Sequence, residues 1–308
     1  MNENDLVYQV KEKDEKLLIK EILKRRMNFS SRLLRKLKKS GGVYNNNEAV
    51  YLNTNVRKGD MLRIVFPEET SYFEPEEIPI SSVYEDQDIL IINKEPGIVV
   101  HPTNGCKDGT VANGIVNYML KRNEQYKIRF VNRLDRDTSG LLIIGKNSYI
   151  QEEISKQMKE GRVVKKYIAI VEGYLNKEEG IIDEPIKKNP GEAARVVSKD
   201  GRISVTEFKV IKRIDERYTV LEIILKTGRT HQIRVHMAHL GHPVVGDSLY
   251  GTGTHIIDRQ ALHAYYLSFS HPRNGKIIEV SAELPHDMER LGQQIKKNGK
   301  AYKDLPER

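Results

Sequence analysis

Asn132-Arg133-Leu134-Asp135-Arg136-Asp137-Thr138-Ser139-Gly140 runs without a break into Leu141-Leu142-Ile143-Ile144, and Gly145-Lys146-Asn147 closes the run. Charged and polar groups crowd the first part. The second part is a short apolar run bounded by turn residues, the pattern of a strand buried on both faces. A loop that feeds directly into such a strand is held rigid by it. Rigidity suits a reactive carboxylate, because a small misplacement lowers the rate steeply. Asp135 stands in that loop with Arg133 and Arg136 close by, and nearby positive charge suits an anionic group. Alone, Arg-Leu-Asp reads as a turn carrying surface ion pairs, which are common and contribute little.

The 308 residues leave room for one large domain and a small one. Charged residues make up 31% of the chain, which suits a globular protein, and no apolar run approaches the length of a membrane span. The opening Met1-Asn2-Glu3-Asn4-Asp5 lacks the basic and then apolar order of a signal peptide. Cys106 is the only cysteine, so an internal disulfide is excluded and a cytoplasmic location is expected. It sits in a polar Gly-Cys-Lys-Asp-Gly turn with no histidine motif pointing to it, so it is not read as a nucleophile. The net charge of +8 suits a polyanionic partner.

The placement of that charge is more informative. Leu6, Tyr8 and Val10 alternate as in a short strand, and Asp14 or Glu15 is expected to open a helix through Leu18, Ile19, Ile22 and Leu23. Ser30 or Ser31 caps a second helix that buries Leu33, Leu34 and Leu37 and ends at Gly41-Gly42. Nine basic residues and one acid, Glu21, lie between Lys20 and Lys39, so one face of the pair is strongly positive. Arg32, Arg35, Lys36, Lys38 and Lys39 occupy the positions the leucines leave over. An isolated basic helix is ordinarily a solvated face. Here a hairpin around Asn45-Asn46-Asn47 follows, and Gly59-Asp60 turns into a strand at Met61–Phe66. Together these features resemble the alpha-L RNA-binding domain first known from a small-subunit ribosomal protein, at about residues 14–67. Such a domain would hold RNA through phosphates, with a grip that weakens in salt. Pro67 to Ser82 contains three prolines and five glutamates and reads as a linker.

Beyond it, Ile89–Ile92 is a buried strand and Asn93-Lys94-Glu95-Pro96-Gly97 a turn into Ile98-Val99-Val100-His101-Pro102. His101 precedes a proline, so its backbone is expected to be extended, and a packing role suits it. Thr110 caps a helix through Met119, a second helix covers Ile150 to Lys159, and Lys165–Gly173 is a strand. A strand at Leu221–Leu225 leads into Gly228-Arg229-Thr230-His231-Gln232-Ile233-Arg234. His263–Leu267 and Ile277–Val280 look like paired strands, and a charged tail follows, helical and then disordered.

Arg-Leu-Asp-Arg-Asp-Thr-Ser-Gly-Leu-Leu resembles the catalytic motif of the pseudouridine synthases that modify ribosomal RNA, the RluA/RluD branch. Many members carry histidine where this chain has Asn132. The resemblance implies that Asp135 is the catalytic aspartate. It implies that Tyr167, in a Lys-x-Tyr ahead of an apolar strand, stacks on the target base, as RNA enzymes commonly do with splayed-out bases. By default such a tyrosine is a core residue. Gly-Arg-Thr-His-Gln-Ile-Arg resembles the third family motif, whose last arginine, Arg234, would pair with Asp135. Arg133 would fill the gap the flipped base leaves in the RNA, and Arg229 and His231 would contact RNA. Gly241-His242-Pro243-Val244-Val245-Gly246-Asp247-Ser248-Leu249-Tyr250-Gly251 continues the likeness.

What the resemblance implies is an α+β fold with a mixed, mainly antiparallel sheet, helices on its outer faces and a cleft along it. The expected division is an alpha-L domain at 1–67, a linker at 68–82, a pseudouridine synthase domain at 83–290 and a tail at 291–308. The expected reaction isomerises uridine in large-subunit (23S) rRNA, with tRNA as the alternative substrate, and needs no cofactor or metal. The expected partner is a ribosomal particle or assembly intermediate, met by a monomer and with no membrane involved. A non-catalytic RNA-binding or assembly factor is the alternative from another class. Among enzymes, Asp135 with Asp137 could serve as a glycosidase pair, but two positions in one loop do not promise facing carboxylates.

Two patterns are set aside. Gly140 to Lys146 has the spacing of a phosphate-binding loop, but its four inner residues are bulky, and backbone amides could not cradle a phosphate. His231, His236, His239 and His242 lack the spacing of a zinc site, so packed or RNA-contacting histidines are expected.

Overall fold

The computed structural model describes residues 5–103, 105–214, 216–252 and 256–297. The N-terminal part contains β1 (Leu6–Gln9), α1 (Ile19–Arg25), α2 (Ser31–Ser40), β2 (Val43–Asn45), β3 (Glu48–Ala49) and β4 (Met61–Ile64). Its strands form an antiparallel sheet in the order β1-β4-β2-β3. The first α-helix starts later than the sequence predicts. Asp14 is fully buried and accepts from Arg26 Nε and the Tyr8 hydroxyl, both at 2.6 Å, so it cannot serve as an exposed cap. Instead the Glu21 carboxylate accepts from Leu18 N at 3.0 Å. Ser30 Oγ caps α2 through Leu33 N at 3.0 Å, and Gly41 at φ +71° ends it, as expected. Leu33 and Leu37 are buried, whereas Arg32, Arg35, Lys38 and Lys39 are exposed. Lys36 is half-buried and pairs with Glu69.

The larger part contains β5 (Ser81–Glu85), β6 (Ile89–Lys94), α3 (Val111–Lys121), β7 (Arg129–Phe130), β8 (Ser139–Gly145) and α4 (Ser148–Lys159). It continues with β9 (Val164–Glu172), β10 (Glu179–Asp183), β11 (Ile186–Lys188), β12 (Arg195–Val197), β13 (Val205–Ile214) and β14 (Tyr218–Leu225). Then come α5 (Gln232–His239), β15 (Leu262–Ser270), β16 (Ile277–Ser281) and α6 (His286–Lys297). Residues 298–308 of the expected tail lie outside the described residues. The main sheet runs β10-β13-β14-β9-β15-β8-β6-β5, with β16 on β15 and β7 on β8. Its pairs are antiparallel except β8 with β15. The sheet is therefore mixed and mainly antiparallel, as expected, and β11 and β12 form a separate hairpin.

The apolar run of the opening motif lies at the centre. All seven residues of β8 are buried. Alternate side chains go to opposite faces: Leu142 and Ile144 join Val111, Ile115 and Met119 of α3, while Leu141 and Ile143 join the core on the other side. That second core also contains Phe29, Leu33 and Leu37. Phe29 and Phe66 lie 5.0 and 6.2 Å, centroid to centroid, from Tyr149 of α4. Arg273 adds a polar clasp, donating to both Asp88 oxygens at 2.5 and 2.8 Å and to Asp5 O at 2.6 Å. The small basic domain thus shares a hydrophobic core with the large one.

The stretch read as a linker is bound along its length. Ser71 Oγ accepts from Ile128 N at 2.8 Å, Glu74 O accepts from Asn113 Nδ2 at 2.9 Å, and the Glu76 carboxylate accepts from Gly109 N at 2.8 and 3.0 Å. A Cβ on Gly114 would stand 2.9 Å from Ile78 Cβ, so α3 carries glycine where the strap crosses. Glu69 pairs with both Lys36 and Arg129, tying α2 to the main domain. Pro and Glu composition predicts a solvated chain; carbonyls, carboxylates and two isoleucines along it supply contacts that composition does not reveal.

Candidate active site

Residues 131–138 connect β7 to β8, and each part of the loop is pinned. Asn132 Nδ2 donates to Leu141 O at 3.1 Å and its Oδ1 accepts from Ile143 N at 2.7 Å. Asparagine therefore staples the loop to β8. Thr138 N donates to Asp135 O at 3.1 Å, closing a turn. Gly140 sits at φ +115°, and an added Cβ would lie 2.2 Å from Ala264 O. Only glycine tolerates both that conformation and that approach.

Lys94 holds the loop from below. It is 2% exposed, and its Nζ donates to the carbonyl oxygens of Glu95, Ile98 and Arg136 at 2.7, 2.9 and 2.8 Å. Burial pulls its pKa down to about 8. Arg259 Nη1 donates to Asp137 O at 3.1 Å while the same guanidinium grips Asp287 of α6 at 2.5 and 2.8 Å. Gln260 Nε2 donates to Thr138 Oγ1 at 3.1 Å.

Asp135, displayed by this loop, has Oδ2 3.4 Å from Arg234 Nη1 and 3.9 Å from His231 Nε2. The partner is thus the arginine 99 residues away, while neighbouring Arg136 pairs with Asp137 at 3.1 Å. Arg234 lies on α5, 6% exposed, and is itself aimed. Its Nε and Nη2 donate to the two oxygens of Asp247 at 2.6 and 2.7 Å, a bidentate pair. Asp247 is 1% exposed and also accepts from Leu249 N and Tyr250 N at 2.9 and 3.1 Å. Burial opposes its charge, but the Arg234 hydrogen bonds and charge outweigh burial and hold the carboxyl below the usual range. The same pairing raises the Arg234 pKa against the pull of burial. The Arg234 guanidinium stands 5.1 Å from the Tyr250 ring centroid.

Tyr167 of β9 is paired with Ala264 of β15, which is paired with Gly140 of β8. The ring therefore springs from the same row as the end of the loop, two strands away, about 10 Å at the backbone. It is 7% exposed. Burial, and then the charge of Asp135, push its phenol pKa up, so the hydroxyl stays neutral. Arg133 is exposed on the same loop as Asp135. Arg229 is exposed, with Nε on Ile203 O at 3.1 Å. Arg32, Arg35, Lys38 and Lys39 lie on α2, and Arg32 and Lys36 help line a cavity of 410 Å³ between α2 and the main domain, with Lys127, Arg129 and Phe130. His101 packs edge-on against Phe73 at 5.2 Å.

Among the four clustered histidines, His236 is buried between Thr206 Oγ1 and Glu184 O, each at 2.9 Å, and His242 Nδ1 lies 2.9 Å from Glu172 O. Among the described residues, no three His, Cys, Asp or Glu side chains gather as a metal site. Gly140 to Gly145 is strand, not a phosphate loop. Sequence reasoning gave no role to Asp247, Lys94 or Tyr250. Asp247 and Tyr250 lie inside the Gly241–Gly251 string that carries the family likeness, which was the available signal for them.

Residues 88–239 match the RNA pseudouridylate synthase family. The chain is 37% identical over 305 residues to "Uncharacterized RNA pseudouridine synthase YlyB" of Bacillus subtilis (strain 168), covering 97% of this chain and 100% of that protein. It is 37% identical over 252 residues to "Ribosomal large subunit pseudouridine synthase D" of Escherichia coli (strain K12), covering 77% of each. Among solved structures, "Human RNA Pseudouridylate Synthase Domain Containing 1" superposes with a TM-score of 0.56 at 26% identity, covering 71% of this chain and 95% of that one. The chain belongs to the RluA family of RNA pseudouridine synthases, isomerases of uridine in RNA.

Proposed function

We propose that the enzyme converts uridine to pseudouridine in large-subunit (23S) ribosomal RNA, with Asp135 as its catalytic residue. The observation that carries the assignment of the site is the meeting of Asp135 with Arg234 at 3.4 Å across 99 residues of sequence. The reaction exchanges a nitrogen–carbon glycosidic bond for a carbon–carbon one. The electron pair of the N1–C1′ bond goes to the base, the base turns, C5 bonds C1′, C5 loses a proton and N1 gains one. A carboxylate on a rigid loop acts at the sugar or base, and this is Asp135. Arg234, braced by Asp247, aims it. Tyr167 is the platform against which the loosened base lies. Arg133 fills the space the extruded nucleotide leaves, since a target base must first quit its stack.

The rRNA assignment is supported by the basic face of α2, where Arg32, Arg35, Lys38 and Lys39 point to solvent, and by the names of relatives such as the E. coli protein above. On this reading those residues, with Lys36, Arg229 and His231, contact RNA, and a monomer meets a ribosomal particle or assembly intermediate in the cytoplasm. Among the described residues no helix is long and apolar enough to cross a membrane. The test is to map pseudouridines by carbodiimide labelling in cells with and without the protein. Loss of sites in large-subunit rRNA is expected; loss confined to tRNA would overturn the substrate assignment. In vitro, Asp135→Asn should bind the transcript and leave its uridines unchanged, and full pseudouridine formation by that variant would remove Asp135 from its role.

A further inference from the structure

His231 is the residue whose setting the site described so far leaves unexplained. It has a left-handed backbone, φ +58° and ψ +18°, at the head of α5. A non-glycine residue in that region is strained, and such strain persists where the surroundings dictate it, often at functional sites. The conformation places the ring between two partners. Nδ1 lies 3.0 Å from the Tyr250 hydroxyl, and Nε2 faces Asp135.

The hydrogen-bond directions favour one tautomer. The Tyr250 oxygen accepts from Arg195 N at 2.6 Å, so its own hydrogen needs an acceptor. Among the described residues that acceptor is His231 Nδ1. The proton of the neutral ring therefore sits on Nε2, on the Asp135 side. Burial, with the charges of Arg234 and Arg195 added, moves the His231 pKa below its ordinary value against the opposing pull of Asp135 and Asp247, which keeps the ring neutral. The 3.9 Å from Nε2 to Asp135 Oδ2 is too long to satisfy an N–H donor. A donor is thus held, aimed at the site and unfilled by that carboxylate.

We propose that His231 is a neutral hydrogen-bond donor to a carbonyl oxygen of the target uracil. This deepens the reading of the site around Asp135 and rests on it. When the N1–C1′ bond breaks, its electron pair spreads through the ring onto the carbonyl oxygens. An N–H fixed beforehand toward such an oxygen stabilises the charge as it develops. Neutrality matters, because a cationic imidazole would pair with Asp135 instead. Asp135 acts at the sugar or base, His231 steadies the base by its rim, and Tyr167 supports its face. Tyr250 and Arg195, through its backbone N–H, are positioning groups that act through His231.

The experiment compares His231→Gln, His231→Asn and His231→Leu on in vitro transcribed large-subunit rRNA, measuring single-turnover rate and RNA affinity separately. Glutamine places an amide N–H near the position of Nε2, asparagine places one nearer Nδ1, and leucine has none. The expected result is a loss of about 100-fold in rate for the leucine variant, with affinity changed less than about threefold, recovery to within about tenfold for glutamine, and no recovery for asparagine. Asparagine tolerates the left-handed backbone best, so recovery by asparagine rather than glutamine would mean that His231 serves the backbone alone and would overturn the proposal. A leucine variant at the wild-type rate, or one that loses affinity only, would overturn it too. Asp135→Asn run in parallel separates the two levels: if it is inactive while the leucine variant is unimpaired, only the role of His231 falls.

Discussion

Asp247→Asn isolates what the brace behind Arg234 contributes. The carboxylate makes two charge-assisted bonds to the guanidinium, at 2.6 and 2.7 Å, and is 1% exposed. Two unit charges about 4 Å apart at an effective dielectric near 20 attract by roughly 4 kcal/mol. Asparagine keeps one oxygen, which can still accept from Leu249 N and Tyr250 N. Its amide NH2 then faces the Arg234 donors, and a buried cation is left with Asp135 at 3.4 Å as its anion. Breaking a buried pair costs about 3–5 kcal/mol when nothing takes its place. With Asp135 absorbing part of that, a stability loss of about 2–3 kcal/mol is expected, read as a lower urea midpoint at unchanged slope. Arg234 should be drawn forward onto Asp135, and the single-turnover rate should fall by about 30- to 150-fold, the equivalent of the same energy at 1.4 kcal/mol per tenfold. RNA affinity and its salt slope should not move, since the side chain is closed to solvent. Arg234→Lys should behave similarly, because an ammonium cannot serve both carboxylates with a planar fork. A variant Asp247→Asn that is less stable yet isomerises at the wild-type rate would refute the claim that Arg234 must be held to aim Asp135.

Gly140→Ala forces a Cβ to within 2.2 Å of Ala264 O at φ +115°, so it should either fail to fold or lose more than about 3 kcal/mol on urea titration; a loss under about 1 kcal/mol would contradict the described strand contact. For Lys94→Met the informative variable is pH. The lysine falls from 10.5 to about 8 on folding, so between those values the unfolded chain binds more protons and stability rises with pH. Wild type should gain up to about 3 kcal/mol on the methionine variant between pH 8 and 10.5; a difference that stays flat would mean that Lys94 is not a buried cation. Neutralising Arg32, Arg35, Lys38 and Lys39 together as glutamines should weaken rRNA binding, and the slope of log affinity against log salt should shrink by up to about 3. An unchanged slope would take α2 off the RNA path. Neutralisation is cleaner than deleting residues 1–67, because deletion would bare Tyr149 and its apolar neighbours.

Local pattern carried some parts of this structure and not others. Leu141–Ile144 announces a doubly buried strand because both faces need apolar side chains, and β8 sits in mid-sheet with all of its residues buried. Ser30 and Gly41 mark the ends of α2 because a serine oxygen and glycine's freedom at positive φ satisfy terminal groups, which is local chemistry. The approach of Arg234 to Asp135 is not local; family likeness suggested it, and no periodicity would have. Lys94 escaped notice because a lysine in a turn reads as solvated; three carbonyls converging from separate segments are what bury it. Asp14 misled the placement of α1 because an acid before an apolar stretch looks like a cap, and its use by Arg26 and Tyr8 depends on tertiary contacts. The stretch 67–80 misled for the opposite reason: its composition is that of free chain, but Glu69, Ser71, the Glu74 carbonyl and Glu76 fasten it through partners on distant segments that composition does not encode.

The common interior of Phe29, Leu33, Leu37, Ile89, Ile143 and Tyr149 bears on how such enzymes could be re-targeted. If α2 contacts RNA as proposed, a basic head welded to the body would work as a gauge of fixed span, selecting RNAs whose shape presents a phosphate ridge and a uridine at matching separation. Grafting a foreign head for new specificity would then require transplanting its mating surface around Tyr149 and the Glu69 strap as well. A shuffled chimera lacking them should arrive as an insoluble chain rather than as an enzyme with a new address.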